Sequence, residues 1–356
     1  MNVLPNIGVV VQGAPGATKL DQGVNTQTAR GKVLRSMHAV GIDIGGTKIA
    51  GAVVDEQGNI VAARRVPTDA SDVKSIEDAV VAMVEDLRQE FEVAAVGVAA
   101  AGFIDAAQSE IYYAPNLAWR NEPFRDKLQA RIDLPVIIEN DANAAGWAEF
   151  VHGAGALTSD MVMLTIGTGV GGAVVLNDRL LRGGFGVGGE LGHIRLIPDG
   201  IQCGCGVHGC FEPYGSGRAL QRYCEEIADT QADGIGAELA RVRAENGGEL
   251  NGTLISQLSQ AKDPGALEAL RILGTYIGTA AASLGAVLDP QLFVIGGGVA
   301  QAGEDLLGPI REAYRAHHPA HGFHPEATFV IAELVNDAGV VGAADIARRY
   351  AEGIPA

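Results

Sequence analysis

From His38 onward the apolar positions come in short runs broken by glycine and polar turns. "HAVGIDIGG" reads as a strand ending in a glycine turn. "TKIAGAVVD" and "NIVAARRVP" read as two more strands joined by "EQGN", so the opening predicts an antiparallel meander. The period then changes, and over residues 71–91 Ile76, Val80, Met83, Val84 and Leu87 recur at helical spacing. "VAAVGVAAAG" at 93–102 predicts a buried strand, "LPVIIEN" at 134–140 another, and "DANAAGWAEFVHG" at 141–153 the helix leaving it.

At Met161 the pattern restarts. "MVMLTIGTGVGGAVVLNDRLLRGG" repeats the strand and turn order of "AVGIDIGGTKIAGAVVDEQGNIVAA", with Ile166-Gly167-Thr168-Gly169 about 122 residues after Ile44-Gly45-Gly46-Thr47. Solenoid repeats recur at about 20–50 residues, so this spacing predicts a duplicated pair of α/β domains facing each other. Residues 213–290 read as mostly helical, with a polar interruption near 229–252. "QLFVIGGGVA" at 291–300 is a strand entering a third glycine turn, followed by a helix at 304–317, then a last strand and a last helix. The expected division is a disordered leader at 1–36, a smaller domain at 37–140 completed by a helix at about 337–350, and a larger domain at 141–336.

Composition narrows the function. The 356 residues are 47% hydrophobic and carry a net charge of −17, which argues against a nucleic-acid partner, since phosphate backbones are gripped by clustered Lys and Arg. No uncharged apolar run reaches the ~18 residues of a membrane span, and no basic residue precedes the apolar run at 7–11 as a signal peptide requires. Four cysteines in so long a chain make no disulfide scaffold, so a reducing cytoplasm and a small-molecule substrate are expected.

Two glycine turns stand out as anion sites. "DIGGTK" places Asp43 at a strand end ahead of Gly45, Gly46, Thr47 and Lys48, where successive N–H groups form a nest and the carboxylate can hold Mg²⁺. The spacing is not that of a Walker loop, and a glycine hairpin alone is often only structural. The second copy, Gly167-Thr168-Gly169, adds a facing turn able to clamp the same phosphates. "GGGVA", with Gly297 and Gly298, offers a flat approach for a base or ribose. "IIENDANAAG" puts Asn140 and Asp141 at a strand exit; Asp141 is either a helix cap or a base that takes the proton of an attacking hydroxyl. Asn116, Glu190, His193 and Glu212 add the amides, imidazole and carboxylates that a polyhydroxyl sugar needs.

Cys203, Cys205 and Cys210 are spaced C-x-C-x₄-C, unlike a thioredoxin pair or a ribbon finger. Three thiolates leave one tetrahedral position, for which His193 is the nearest donor and Cys224 the alternative. Buried free thiols and redox chemistry are the competing readings.

Together, "CGCGVHGCFE", "DIGGTK", "ENDANAAG", "GTGVGG", "GELGH" and "GGGVA" resemble in kind and order the signatures of the ROK family (repressors, open reading frames and sugar kinases), over roughly residues 38–350. The resemblance is closest to its glucose-phosphorylating bacterial members. It implies an actin-like, hexokinase-like two-domain fold that transfers the γ-phosphoryl group of ATP, with Mg²⁺, to the 6-hydroxyl of glucose. It further implies Asp141 as base, and Gly102, Asn116, Asn140, Asp141, Glu190, His193 and Glu212 as sugar ligands. The glycine turns would hold ATP, structural Zn²⁺ would sit on His193, Cys203, Cys205 and Cys210, and the chain would form a homodimer or homotetramer. Other hexoses are the alternatives. A sugar-responsive repressor is a further one, disfavoured by the charge and by the lack of a recognisable helix-turn-helix.

Overall fold

The computed structural model describes residues 38–115 and 117–356; the expected leader lies outside the described residues. The meander forms as β1 (His38–Ile44), β2 (Lys48–Val54) and β3 (Ile60–Pro67), followed by α1 (Val73–Glu90), which Asp72 caps through Lys74 N and Ser75 N. Next come β4 (Val93–Ala100) and a small sheet of β5 (Phe103–Ile104), β6 (Ile111–Tyr113) and β7 (Arg120–Glu122). Then follow α2 (Phe124–Gln129), β8 (Val136–Asn140) and α3 (Asp141–His152). The first large sheet runs β3-β2-β1-β4-β8, antiparallel across the meander and parallel from β1 to β8.

The chain then repeats itself. β9 (Met161–Ile166), β10 (Val170–Leu176) and β11 (Arg179–Leu180) make a second meander, and β12 (Leu292–Gly296) and β13 (Thr328–Ile331) add to it in parallel, in the order β11-β10-β9-β12-β13. The glycine turns occupy equivalent corners, closed by Ile44 against Ile49 and by Ile166 against Val170. The duplication read from the sequence is thus a duplication of topology.

Between β11 and β12 lie α4 (Glu212–Gly215), α5 (Gly217–Thr230), α6 (Ala237–Glu245), α7 (Gly252–Gln260) and α8 (Pro264–Leu288); α9 (Glu304–His317) and α10 (Ala338–Glu352) follow β12 and β13. By length and composition α8 is apolar enough to cross a membrane, the one described helix that is. Its Ala269, Leu270, Leu273, Ile277, Ala280 and Ala281 are instead buried against α5, α6, α7 and α9, so it is the core helix of the second half. The polar stretch at 229–252 contains α6, whose Leu239 is fully buried with Leu250 in that same core.

The C-terminal helix α10 packs on β1 and β4 of the first sheet and on α3. A buried cluster joins these two helices: Trp147 Nε1 donates to Asp345 Oδ2 at 2.9 Å, and Arg348 and Arg349 bind the same carboxylate. Burial opposes ionisation of Asp345, but donors from His152, Trp147 and Arg349 hold its carboxyl well below the usual range. α3 also packs on β10, so it touches both halves of the fold, and its N-terminus opens into the candidate site.

Candidate active site

The first turn of α3 carries the candidate residues Asn140 and Asp141 to the site. Asn140 is the helix cap: its Oδ1 accepts from Asn143 N at 3.0 Å while its Nδ2 donates to Gly102 O at 3.1 Å. Asp141 is therefore not the cap. Its carboxylate accepts from Ala142 N at 2.9 Å and faces a small polar cavity of about 160 Å³. Gly102, Asn140, Asp141, Glu190, His193 and Glu212 all line that cavity, with Ala101, Phe103 and Pro115 from the first half of the chain and Val170–Gly172 from the second. Six of the seven expected sugar ligands are brought together; the seventh, Asn116, lies outside the described residues.

The carboxyls crowd one another in low dielectric. Burial pushes Asp141 above the ordinary carboxylate range. Asp43 is raised to about 6, first by burial and then by the charge of Asp141, with Lys48 opposing. Glu190 is also raised, by burial above all; His193 opposes, and the charges of Asp141 and Glu212 add to the rise.

Beside this cavity lies a second, of about 1020 Å³, at the upper end of what ligand pockets span. Gly167 and Thr168 of the second glycine turn line it together with Gly298. The strand leaving that turn lines the small cavity through Val170, Gly171 and Gly172, so the turn and its strand stand between the two spaces. Gly169 faces Glu212: a Cβ there would lie 2.4 Å from Glu212 Oε2, which accepts from Val170 N at 3.1 Å. Gly297 packs on the Ile166 backbone, next to Gly298 on the cavity wall. Gly45, Gly46, Thr47 and Lys48 line neither cavity; their turn projects into solvent, with Asp43 at its base beside Asp141.

A polar part of the large cavity's lining was not read from the sequence. It consists of Arg218 and Gln221 on α5, of Thr253, Ser256, Gln257 and Gln260 on α7, and of Lys262. The available signal was the spacing of those four polar residues, which puts them on one helical face.

The cysteine segment adjoins the small cavity. Cys203 N donates to Val207 O at 2.8 Å and Gly206 N to Cys203 O at 2.9 Å, folding "CGCGVHGC" into a tight knuckle. Gly209 is required there twice over: its φ is +77°, and a Cβ would sit 1.7 Å from Ile197 O. The knuckle brings one donor atom each from His193, Cys203, Cys205 and Cys210 within 4.8 Å of one another, among them Cys203 Sγ and His193 Nδ1 at 3.7 Å and Cys205 Sγ and Cys210 Sγ at 3.6 Å. One imidazole and three sulfurs at this spacing fit a closed tetrahedral metal site. Cys224 is buried on α5, outside the group. Burial pushes the Cys203 thiol up to about 12, a cost that coordination to a cation removes.

A duplicated α/β fold of the actin-like, hexokinase-like kind, with a carboxylate-lined cavity beside a glycine-turn cavity, defines a phosphotransferase architecture. The chain belongs to the ROK family, whose model matches residues 39–350. It is 43% identical to a glucokinase of Streptomyces coelicolor over 87% of this chain and 97% of that one. It is 35% identical to an N-acetylmannosamine kinase of Escherichia coli O157:H7 over 88% of this chain and 99% of that one. Among solved structures it resembles a ROK family glucokinase from Streptomyces griseus in complex with glucose and AMPPNP. The two share 42% identity and a TM-score of 0.77, covering 88% of this chain and 99% of that one.

Proposed function

We propose that the protein is an ATP-dependent glucokinase in which Asp141 is the general base. The observation that carries this reading is Asp141 itself: a half-buried carboxylate freed from capping by Asn140, in a polar cavity divided from a nucleotide-sized one by a glycine turn. Glucose fills the small cavity, where Asn140, Glu190, His193 and Glu212 offer paired hydrogen bonds to its hydroxyls. ATP fills the large one with its phosphates toward Gly167 and Thr168. Asp141 accepts the proton of the sugar 6-hydroxyl as that oxygen bonds to the γ-phosphorus and the bond to the β,γ-bridging oxygen breaks, releasing glucose 6-phosphate and ADP. The turn's N–H groups meet the charge on the moving phosphoryl group.

Asp43 is the residue that would hold Mg²⁺; its carboxyl is raised to about 6 by burial and by the charge of Asp141, a cost that a divalent cation would relieve. Bound with ATP, Mg²⁺ supplies neutralisation of phosphate charge. The ligand set His193, Cys203, Cys205 and Cys210 fits Zn²⁺ in a structural role, because no coordination position is left for water. The domain division at residues 140 and 336, a cytoplasmic location and a homodimer or homotetramer complete the reading.

The test is ADP release over a panel of hexoses. Glucose is expected to give the highest kcat/KM. A higher value for N-acetylmannosamine, mannose or fructose reassigns the substrate, and a hexose-independent release of ADP removes the reading.

A further inference from the structure

Glu139 lies within the parallel strand β8, 3% exposed, directly before Asn140 and Asp141. Such a charge is retained only where it is fully partnered. Its Oε1 accepts from Asn140 N at 2.9 Å and Asn143 Nδ2 at 3.1 Å; its Oε2 accepts from Gln108 Nε2 at 2.9 Å and Arg182 Nε at 2.7 Å. Four donors thus converge on its two carboxyl oxygens, two on each.

These partners come from three separate segments that enclose the small cavity. Asn140 and Asn143 belong to the first turn of α3, which carries Asp141. Gln108 sits in the turn between β5 and β6, in the small sheet that follows Gly102. Arg182 leaves β11 in the second half, and its carbonyl accepts from Gly188 N at 2.9 Å, closing the loop from which Glu190 emerges. Arg182 also donates to Ala356 O at 3.3 Å, so its guanidinium is held on two sides.

We propose that Glu139 is a positioning residue for phosphoryl transfer. Its carboxylate fixes the helix turn that aims Asp141 and, through Arg182, ties that turn to the segment bearing Glu190. The base is then in register only when the sugar-binding segment is in place. This rests on the glucokinase reading, and the two fail differently: an error there appears as a wild-type protein that phosphorylates no hexose, an error here only in the variants.

Glu139→Gln keeps the shape but, whichever way the amide is turned, sets an NH₂ against one of the two donor pairs. Arg182→Met removes the partner. Each is expected to lower kcat with glucose by about tenfold to a hundredfold and to raise KM for glucose, with KM for ATP as in wild type. The double variant is expected to lose no more than the worse single one, since both break one link. Arg182→Lys, which keeps the charge, is expected to recover part of the loss. Folding and zinc content are measured alongside; if Glu139→Gln does not fold, the Arg182 pair is read by the same criteria. Wild-type kcat in a folded Glu139→Gln protein, losses that multiply in the double variant, or equal damage to the ATP and glucose KM values would overturn the proposal.

Discussion

Asp141 owes its position to Asn140. Because Asn140 Oδ1 takes the Asn143 N–H, the Asp141 carboxylate, which accepts from Ala142 N, has lone pairs left for a ligand. Burial raises its pKa, and a base acts only when ionised. The acid limb of kcat/KM for glucose is therefore expected to lie above the ~3.9 of an ordinary aspartate, with activity falling as pH drops through it; a limb at or below that value contradicts the assignment. Stability runs the other way. Asp43 binds its proton more tightly in the fold, so its contribution is full below the unfolded value of 3.8 and lost as pH rises through about 6. At the proposed metal knuckle, Cys205→Ser removes one of four candidate donors. Metal analysis is expected to show loss of zinc, with KM for glucose rising about tenfold or more as His193 and Glu212 lose their anchor. Nucleotide binding, whose cavity is walled by α5 and α7, is expected to persist.

At the scale of elements, what was legible depended on length and period. The two meanders, α1, α3 and α9 were visible because their runs are long enough for a repeat of two or 3.6 residues to register. The β5-β6-β7 sheet was not: strands of two or three residues carry no period, yet this sheet supplies Phe103 to the cavity wall and Gln108 to Glu139. α6 was hidden by its polarity, since it buries little besides Leu239. Together with Leu250, Leu239 makes the 229–252 stretch part of the core rather than an appendage. Leu239→Ala is expected to cost about 2–5 kcal/mol of unfolding free energy in urea denaturation; a cost near zero would mean the stretch is dispensable. The site divides in the same way. Asp141, Glu190, His193 and the cysteines were conspicuous as polar residues in short glycine-rich runs, whereas Glu139 reads as a strand position and Arg182 as a loop charge. Only their pairing across the two halves reveals their role.

For the whole molecule, duplication is the governing feature. Two copies of one sheet place their glycine turns at equivalent corners, but the copies have diverged in use. The second turn borders both cavities, while the first contributes Asp43 at its base and leaves Gly46, Thr47 and Lys48 exposed. α3, held to α10 by the Asp345 cluster and packed on β10, carries Asp141, the proposed base. The account stands on that base, and the most direct measurement is steady-state ADP release with glucose for Asp141→Asn beside calorimetric glucose binding by the same protein. The expected result is a fall in kcat of about 10²–10⁴-fold with glucose still bound. Turnover close to wild type in the variant would contradict the account.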